Sequence, residues 1–148
     1  MSVPRPSSDP NAHLYEQLKR DVFERMPYIT TIEYVPDTVE ARQLKATFDP
    51  DRLEPPTGPK APELVIEWYR QTPHDWFRVN YSGPNTGFHA GWHQDEDHPN
   101  LGQAHFQYSM DEESDRWAAT FQHETPSLIL WEIVEELLET VHPEIAPS

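Results

Sequence analysis

The sequence contains no cysteine, and lysine occurs only at Lys19, Lys45 and Lys60 among 148 residues. The lack of cysteine excludes disulfide bonds, thiolate zinc sites and a cysteine nucleophile, so any metal would have to be bound by histidine and carboxylate groups. No stretch approaches the roughly 18 consecutive apolar residues that a membrane-spanning helix needs, and no basic segment followed by an apolar run marks an export signal. These absences predict a cytoplasmic protein without a membrane partner.

Acidic residues dominate the charged positions: 26 Asp and Glu face 11 Lys and Arg, for a formal net charge of -15. The carboxylates are spread along the whole chain, which makes an acidic block that mimics nucleic acid or binds a basic protein the weaker interpretation. An acidic, lysine-poor chain is typical of salt-adapted cytoplasm. In concentrated salt the Debye length falls to roughly 3 Å, so self-repulsion is screened while the carboxylates keep the surface hydrated.

A helix is predicted near each end of the chain. Asp9-Pro10 supplies an N-cap and a proline at the first helical position, and apolar residues then recur at the helical period as far as Met26. Thr125-Pro126 opens a second amphipathic helix, whose apolar positions extend to Val141. The first eight residues, rich in proline and serine, predict a disordered tail that precedes a single domain over residues 9–143.

Between the helices the sequence predicts about seven strands joined by short connections, which favours a meander of antiparallel neighbours. The expected fold is therefore α+β, with both helices packed on one face of the sheet and the other face open. The predicted strands are Ile29–Val35, Glu40–Phe48, Glu63–Gln71, Asp75–Tyr81, Thr86–His93, Leu101–Ser109 and Arg116–His123.

Alternate residues of a strand point to opposite faces of its sheet, so the central strands divide into an apolar and a polar set. Between Phe88 and His93, for example, aromatic residues and alanine alternate with His89, Gly91 and His93. Gly91 is expected to leave room for His105 to approach from the neighbouring strand. In so acidic a chain, the absence of strand carboxylates from the polar set indicates a functional surface. The polar set is Arg78, Asn80, His89, His93, Gln103, His105, Gln107 and Gln122.

Metal binding by these histidines depends on their spacing. His89 and His93 are four residues apart on one strand, so their Cα atoms lie about 13 Å apart and cannot share one ion. A cross-strand pair of His89 with His105, or His93 with Asp95 and His98 at the strand end, could bind a zinc, nickel or manganese ion. The alternative is that each histidine is simply solvated or hydrogen-bonded.

Several short motifs follow one another between Glu63 and Val141: Phe77-Arg78-Val79-Asn80-Tyr81, Phe88-His89-Ala90-Gly91-Trp92-His93-Gln94-Asp95, His98-Pro99 and Gln103-Ala104-His105-Phe106. In this order they resemble the TumE-type family of small toxin–antitoxin proteins. In that family a strand with an aromatic residue and a tyrosine leads to a Trp-x-x-Asp segment, a His-Pro step, a second histidine-containing strand and an acidic amphipathic helix. The family's double histidine before the proline is Asp97-His98 in this chain. The matching positions are Tyr81, Trp92, Asp95, His98, Pro99 and His105.

The resemblance implies the toxin component of a toxin–antitoxin module, with an antitoxin protein as its partner. Such a toxin would act on RNA or nucleotides, with His98 and His105 as acid and base because the pKa of histidine lies near neutrality. Arg78 or Arg116 would contact the phosphate, although the low basic content argues against phosphate binding. The residues predicted to bind the ligand are Tyr81, His89, Trp92, Gln103 and Gln107.

Two other functions stay open at this point. One is a non-enzymatic binding module whose open sheet face receives a partner protein or a small ligand. The other is a divalent-metal-binding protein with His93, Asp95 and His98 as ligands. The sequence leaves nucleic acid and a second copy of the chain open as partners.

The acidic composition predicts a salt-dependent stability. We expect the melting temperature to rise substantially between low and multimolar potassium chloride, because screening weakens carboxylate repulsion in the folded state. Thermal melting followed by circular dichroism measures this, with chloride as the anion because sulfate stabilises proteins by exclusion from their surface. A melting temperature that does not change with salt would contradict the interpretation of the charge.

Overall fold

The computed structural model describes residues 10–36, 42–53, 58–70, 74–94, 104–110 and 112–141, so the predicted disordered tail lies outside it. Helix α1 (Pro10–Asp21) leads into a 3-10 turn at Phe23–Arg25, and helix α2 (Pro126–Glu136) leads into a π-helical turn at Leu137–Val141. The strands between them are β1 (Ile29–Val35), β2 (Gln43–Phe48), β3 (Glu63–Tyr69), β4 (Trp76–Gly83), β5 (Phe88–Gln94), β6 (Ala104–Met110) and β7 (Glu113–Ala119).

The seven strands form one antiparallel sheet in sequence order, from β1 at one edge to β7 at the other. This confirms the predicted α+β meander with a helix before and after it. Within the described ranges, no helix is long and apolar enough to cross a membrane.

The core lies on one face of this sheet. In β3, for example, Leu64, Ile66 and Trp68 are buried while the residues between them stay half-buried. Both helices contribute to the same apolar cluster, including Leu18 of α1 and Ile133 of α2. We call this the helix-covered face, and the opposite one, which carries the alternate residues of each strand, the open face.

Two buried tryptophans tie the sheet to its surroundings through their indole N–H groups. Trp92 Nε1 donates to Glu136 Oε2 of α2 at 3.2 Å, and Trp68 Nε1 donates to Asp75 Oδ2 at 3.0 Å. Because an unpaired indole N–H is unfavourable in a core, these bonds let both rings be fully buried. They fix the side of the sheet on which Trp92 lies, as the alternation predicts.

The hydroxyl of Tyr15 in α1 completes the backbone pairing between two strands. The β2–β3 ladder ends at the pair Leu44 and Ile66. Two residues further, Tyr15 Oη donates to the carbonyl of Arg42 at 2.6 Å and accepts from the N–H of Trp68 at 3.1 Å. One side-chain hydroxyl therefore satisfies two backbone groups and joins α1 to the sheet.

The predicted bounds of the last strand are wrong. Arg116–His123 is the predicted range, whereas β7 begins at Glu113, which pairs with Met110, and ends at Ala119. The start of β7 is polar and exposed because it lies at the sheet edge, so it shows no apolar alternation. Trp117 lies on the helix-covered face as expected, but 47% of it is exposed.

Two tyrosine-to-phenylalanine variants test the role of the Tyr15 hydroxyl. Tyr15→Phe should lower the free energy of unfolding by about 1–3 kcal/mol, because the buried backbone N–H of Trp68 loses its acceptor and the carbonyl of Arg42 loses this donor. Tyr81→Phe is the matched control. In the described part of the chain the Tyr81 hydroxyl is buried without a hydrogen-bond partner, and burial raises the pKa of Tyr81 to about 12.

Removing the Tyr81 hydroxyl should therefore leave stability unchanged or raise it slightly. Urea denaturation of both variants at one salt concentration measures the two effects. Equal losses in Tyr15→Phe and Tyr81→Phe would show that the bridging hydroxyl has no special role.

Candidate functional site

The register of β4–β7 arranges the residues of the open face in three rows that run across the strands. The serine row consists of Ser82, His89, Ser109 and Ser114. The central row consists of Asn80, Gly91, Gln107 and Arg116. The histidine row consists of Arg78, His93, His105 and Ala118.

None of the three rows contains a carboxylate. The part of the open face formed by β1–β3 differs, since it carries Glu33, Glu63 and Glu67. Lys45 lies between two of them, 3.9 Å from Glu33 and 3.4 Å from Glu63. The open face is thus divided into an acidic half and a carboxylate-free half, which meet where Glu63 lies opposite Ser82 and Glu67 lies opposite Arg78. The structure places six residues of the predicted polar set on the open face: Arg78, Asn80, His89, His93, His105 and Gln107. Gln122 lies beyond the end of β7, and Gln103 lies outside the described residues.

A glycine makes the closest polar contact of the carboxylate-free half possible. His93 Nε2 lies 2.8 Å from Asn80 Oδ1. Because an amide oxygen only accepts, the imidazole N–H is the donor in this bond. A Cβ atom at Gly91 would lie 2.6 Å from Asn80 Oδ1 and 2.7 Å from His93 Nε2. The bond therefore requires glycine between these two side chains.

The structure corrects the predicted histidine pair. His105 lies opposite His93, with the ring centroids 5.1 Å apart and nearly perpendicular, whereas His89 lies opposite Ser109. A pair of His89 with His105 is therefore wrong. The register between β5 and β6 runs from His89 opposite Ser109 to Gln94 opposite Ala104.

The burial and the hydrogen bonding of His93 both bear on whether it can bind a metal ion. His93 is 9% exposed and His105 is 2% exposed, and the bond to Asn80 engages one ring nitrogen of His93. In the described ranges no group of three histidine, aspartate or glutamate residues is arranged to hold a metal ion. The other two predicted ligands, Asp95 and His98, lie outside the described residues.

A concavity of about 560 Å³ opens over the serine row and the central row. Gly91 lines it, and so does one carboxylate, that of Asp115. His89 lines it, whereas His93 and His105 are not among its lining residues. Of the predicted site histidines that the structure describes, His89 alone is therefore at this concavity.

The predicted ligand-binding and catalytic residues separate into distinct places. His89 and Gln107 line the concavity, and the Arg78 guanidinium lies 4.7 Å from the centre of the Trp76 ring, which belongs to the same face. The rings of Tyr81 and Trp92 are instead part of the core on the helix-covered face. Tyr81 is nevertheless among the residues that line the concavity, whereas Trp92 is not. Gln103 and His98 lie outside the described residues.

The sequence prediction missed the three serines of the concavity. Ser82, Ser109 and Ser114 come together only when the register of four strands is known. Strand parity would have placed Ser82 and Ser109 on the open face, and the correct start of β7 would have added Ser114.

Comparisons of this chain with models of protein families, with characterised proteins and with solved structures find no match. The resemblance to the TumE-type family therefore depends on its motifs alone and stays a prediction.

Gly91→Ala tests whether the hydrogen bond between His93 and Asn80 depends on glycine at position 91. We expect the variant to lower the free energy of unfolding by about 1–3 kcal/mol, because the new methyl group breaks the bond between His93 and Asn80. The same substitution in an Asn80→Ala background should be less costly, since that bond is already absent and His93 can move. Urea denaturation of the four proteins of this cycle measures the difference. An equal loss in both backgrounds would contradict the assignment.

Proposed function

We propose that the carboxylate-free half of the open face binds a nucleotide or single-stranded RNA. The observation that supports this proposal is the distribution of charge. In a chain with 26 acidic residues, the three rows contain arginine, histidine, serine, asparagine and glutamine but no carboxylate. Carboxylates a few Å from a phosphate would repel it, so their absence favours an anionic ligand on this surface.

The net charge of -15 opposes this binding at long range. Most proteins that bind nucleic acid rely on many Lys and Arg residues and lose affinity as salt rises. Here the attraction is local, from Arg78, Arg116 and the neutral donors around them. Salt screens the distant carboxylates much more than groups in direct contact with a ligand. We therefore also propose a salt-adapted cytoplasm as the setting in which the surface works.

The biological role that we propose is the toxin component of a toxin–antitoxin module, supported by the motifs that resemble the TumE-type family. Catalysis by His98 and His105, with Arg78 on the phosphate, is part of that proposal. His105 is 2% exposed, and a substrate would have to reach this buried ring. Binding is thus the function that the geometry supports better than catalysis.

A protein partner is the second candidate, and the edge strand β7 favours it. The six residues from Glu113 to Ala118 are all exposed, and Trp117 presents almost half of its surface beside Phe106 and Tyr108. An exposed strand edge with a large aromatic residue is suited to pairing with another chain. An antitoxin protein or a second copy of this chain would fit that edge.

Metal binding has one supporting observation. His93 and His105 bring two imidazole rings together, and neutral imidazole is a ligand for zinc, nickel and manganese. Further ligands would have to come from residues such as Asp95 and His98. Two imidazole ligands alone bind a metal weakly, so metal that stays bound through purification would indicate further ligands. Metal analysis of the protein purified without a metal-affinity tag measures this.

An arginine substitution tests the proposed binding surface. We expect Arg116→Ala to weaken binding of a fluorescent oligoribonucleotide about tenfold, the loss expected for one hydrogen bond to a charged group. Arg25→Ala is the matched control, because it removes the same charge from an exposed position in the 3-10 turn after α1. Fluorescence anisotropy at several potassium chloride concentrations measures both affinities.

Equal losses in the two variants would mean that only net charge matters and would contradict a specific surface. Growth after induced expression tests the toxin role separately. Arrest by the unaltered protein that is lost in His98→Ala and in His105→Ala supports catalysis, provided that both variants keep their fold. Normal growth with the unaltered protein would contradict the toxin role.

A further inference from the structure

The serine row is the most accessible part of the carboxylate-free half. His89 and Ser114 are exposed, and Ser82 and Ser109 are half-buried. Neighbouring strands lie about 4.8 Å apart, so adjacent members of this row can contact one small ligand together. Arg116 belongs to the neighbouring row and lies diagonally to Ser109 across the β6–β7 pair.

These side chains are not engaged with the rest of the protein. Ser82, His89, Gln107, Ser109 and Ser114 make no side-chain hydrogen bond within the described part of the chain. Polar side chains elsewhere behave differently: Ser127 Oγ donates to Asp21 Oδ2 at 3.1 Å, and Asn85 Nδ2 donates to the carbonyl of Lys60 at 2.6 Å. The concavity thus collects hydroxyl, imidazole and amide groups that are available to a ligand.

From this geometry we infer that the serine row, together with Arg116, is a subsite for a tetrahedral oxyanion and that its physiological ligand is a phosphate group. Serine hydroxyls, the imidazole of His89 and the guanidinium all donate hydrogen bonds, which an oxyanion accepts. The inference deepens the proposed function, because it names the part of a nucleotide or RNA that this concavity holds.

Other ligand classes fit the subsite less well. A divalent cation requires carboxylate or several imidazole ligands. The serine row offers one imidazole, and Asp115, the one carboxylate among the described residues that line the concavity, already accepts the backbone N–H of Arg116 at 2.8 Å. A sugar or a base usually stacks on an aromatic ring. The aromatic residues next to this concavity, Tyr81 and Tyr108, have their rings packed against Phe88 on the helix-covered face. A compact anion is therefore the ligand that matches the available groups.

The long-range charge makes the affinity depend on salt in an unusual way. A net charge of -15 repels phosphate, so the affinity should hold or increase as chloride screens that repulsion. Binding that depended on a general excess of basic residues would weaken instead. The direction of the salt dependence thus separates a local subsite from nonspecific electrostatic attraction.

The test is a titration of the full chain with inorganic phosphate in potassium chloride, followed by NMR. We expect the resonances of the His89 ring and of the Ser109 and Gly91 amides to shift, with a dissociation constant of about a millimolar. His89→Ala and Ser109→Ala should each weaken binding about tenfold, the effect of one hydrogen bond to a charged group. Both residues lie outside the core, and the remaining spectrum reports whether each variant is folded.

Two matched controls lie away from the subsite. Thr47→Ala removes a hydroxyl from the acidic half of the same face, since Thr47 is opposite Glu63 in the β2–β3 pair. His13→Ala removes an exposed imidazole from α1. Neither should change the affinity for phosphate. Phosphate-induced shifts that persist in both His89→Ala and Ser109→Ala, or no shift in the unaltered protein, would overturn the inference.

A nucleoside monophosphate in a parallel titration separates the sources of the ligand. Tighter binding of the nucleotide than of inorganic phosphate supports a nucleotide source, and equal affinities support recognition of phosphate alone. RNA binding that persists in both variants would leave the proposed function standing and remove this inference. Phosphate binding that is lost in the variants, without any binding of nucleotide or RNA, would keep the inference and remove the proposed function.

Discussion

Packing of both helices on the same face of the sheet imposes an alternation of apolar and polar residues on the strands between its two edges. Alternate residues from Leu44 in β2 to Phe106 in β6 belong to one apolar cluster, and a shift by one residue would bury the polar set and expose the aromatic set. Trp68 and Trp92 reinforce this arrangement, since each is buried completely and still donates its N–H to a carboxylate. The position of every side chain on the open face follows from this one-sided core.

Alternation reveals the face of a residue but not its partner, and this explains why one part of the prediction is right and another wrong. A shift of the pairing by an even number of residues leaves both faces unchanged. In the observed register the partner of His105 is His93 and not His89, yet all three histidines lie on the open face. The sequence between β5 and β6 therefore does not decide their register.

The edge strand and the glycine show two further limits of pattern analysis. The beginning of β7 lacks apolar alternation because its residues are exposed on both faces, so its polar residues resemble a turn and Ser114 was not assigned to the site. Gly91 was predicted to make room for His105, but the atoms that a side chain there would meet belong to Asn80 and His93. The sequence correctly indicated that the missing side chain at Gly91 makes room for a neighbour. Only the register shows that the neighbours are Asn80 and His93.

The acidity of the chain and the composition of the concavity can be explained together. Gln107 lies directly opposite Arg116 in the β6–β7 pair. If a glutamate replaced Gln107, its carboxylate would attract the guanidinium at about 5 Å by roughly 1–3 kcal/mol, depending on the local dielectric constant. It would compete with any anionic ligand for that group and fill part of the concavity. Glutamate is tolerated on β1–β3, where Lys45 offsets it. Glu113 and Asp115 of β7 lie at positions of the helix-covered face, so the open face of β4–β7 has no carboxylate in its three rows. This composition favours an anionic ligand on that surface, in a protein whose remaining surface repels anions.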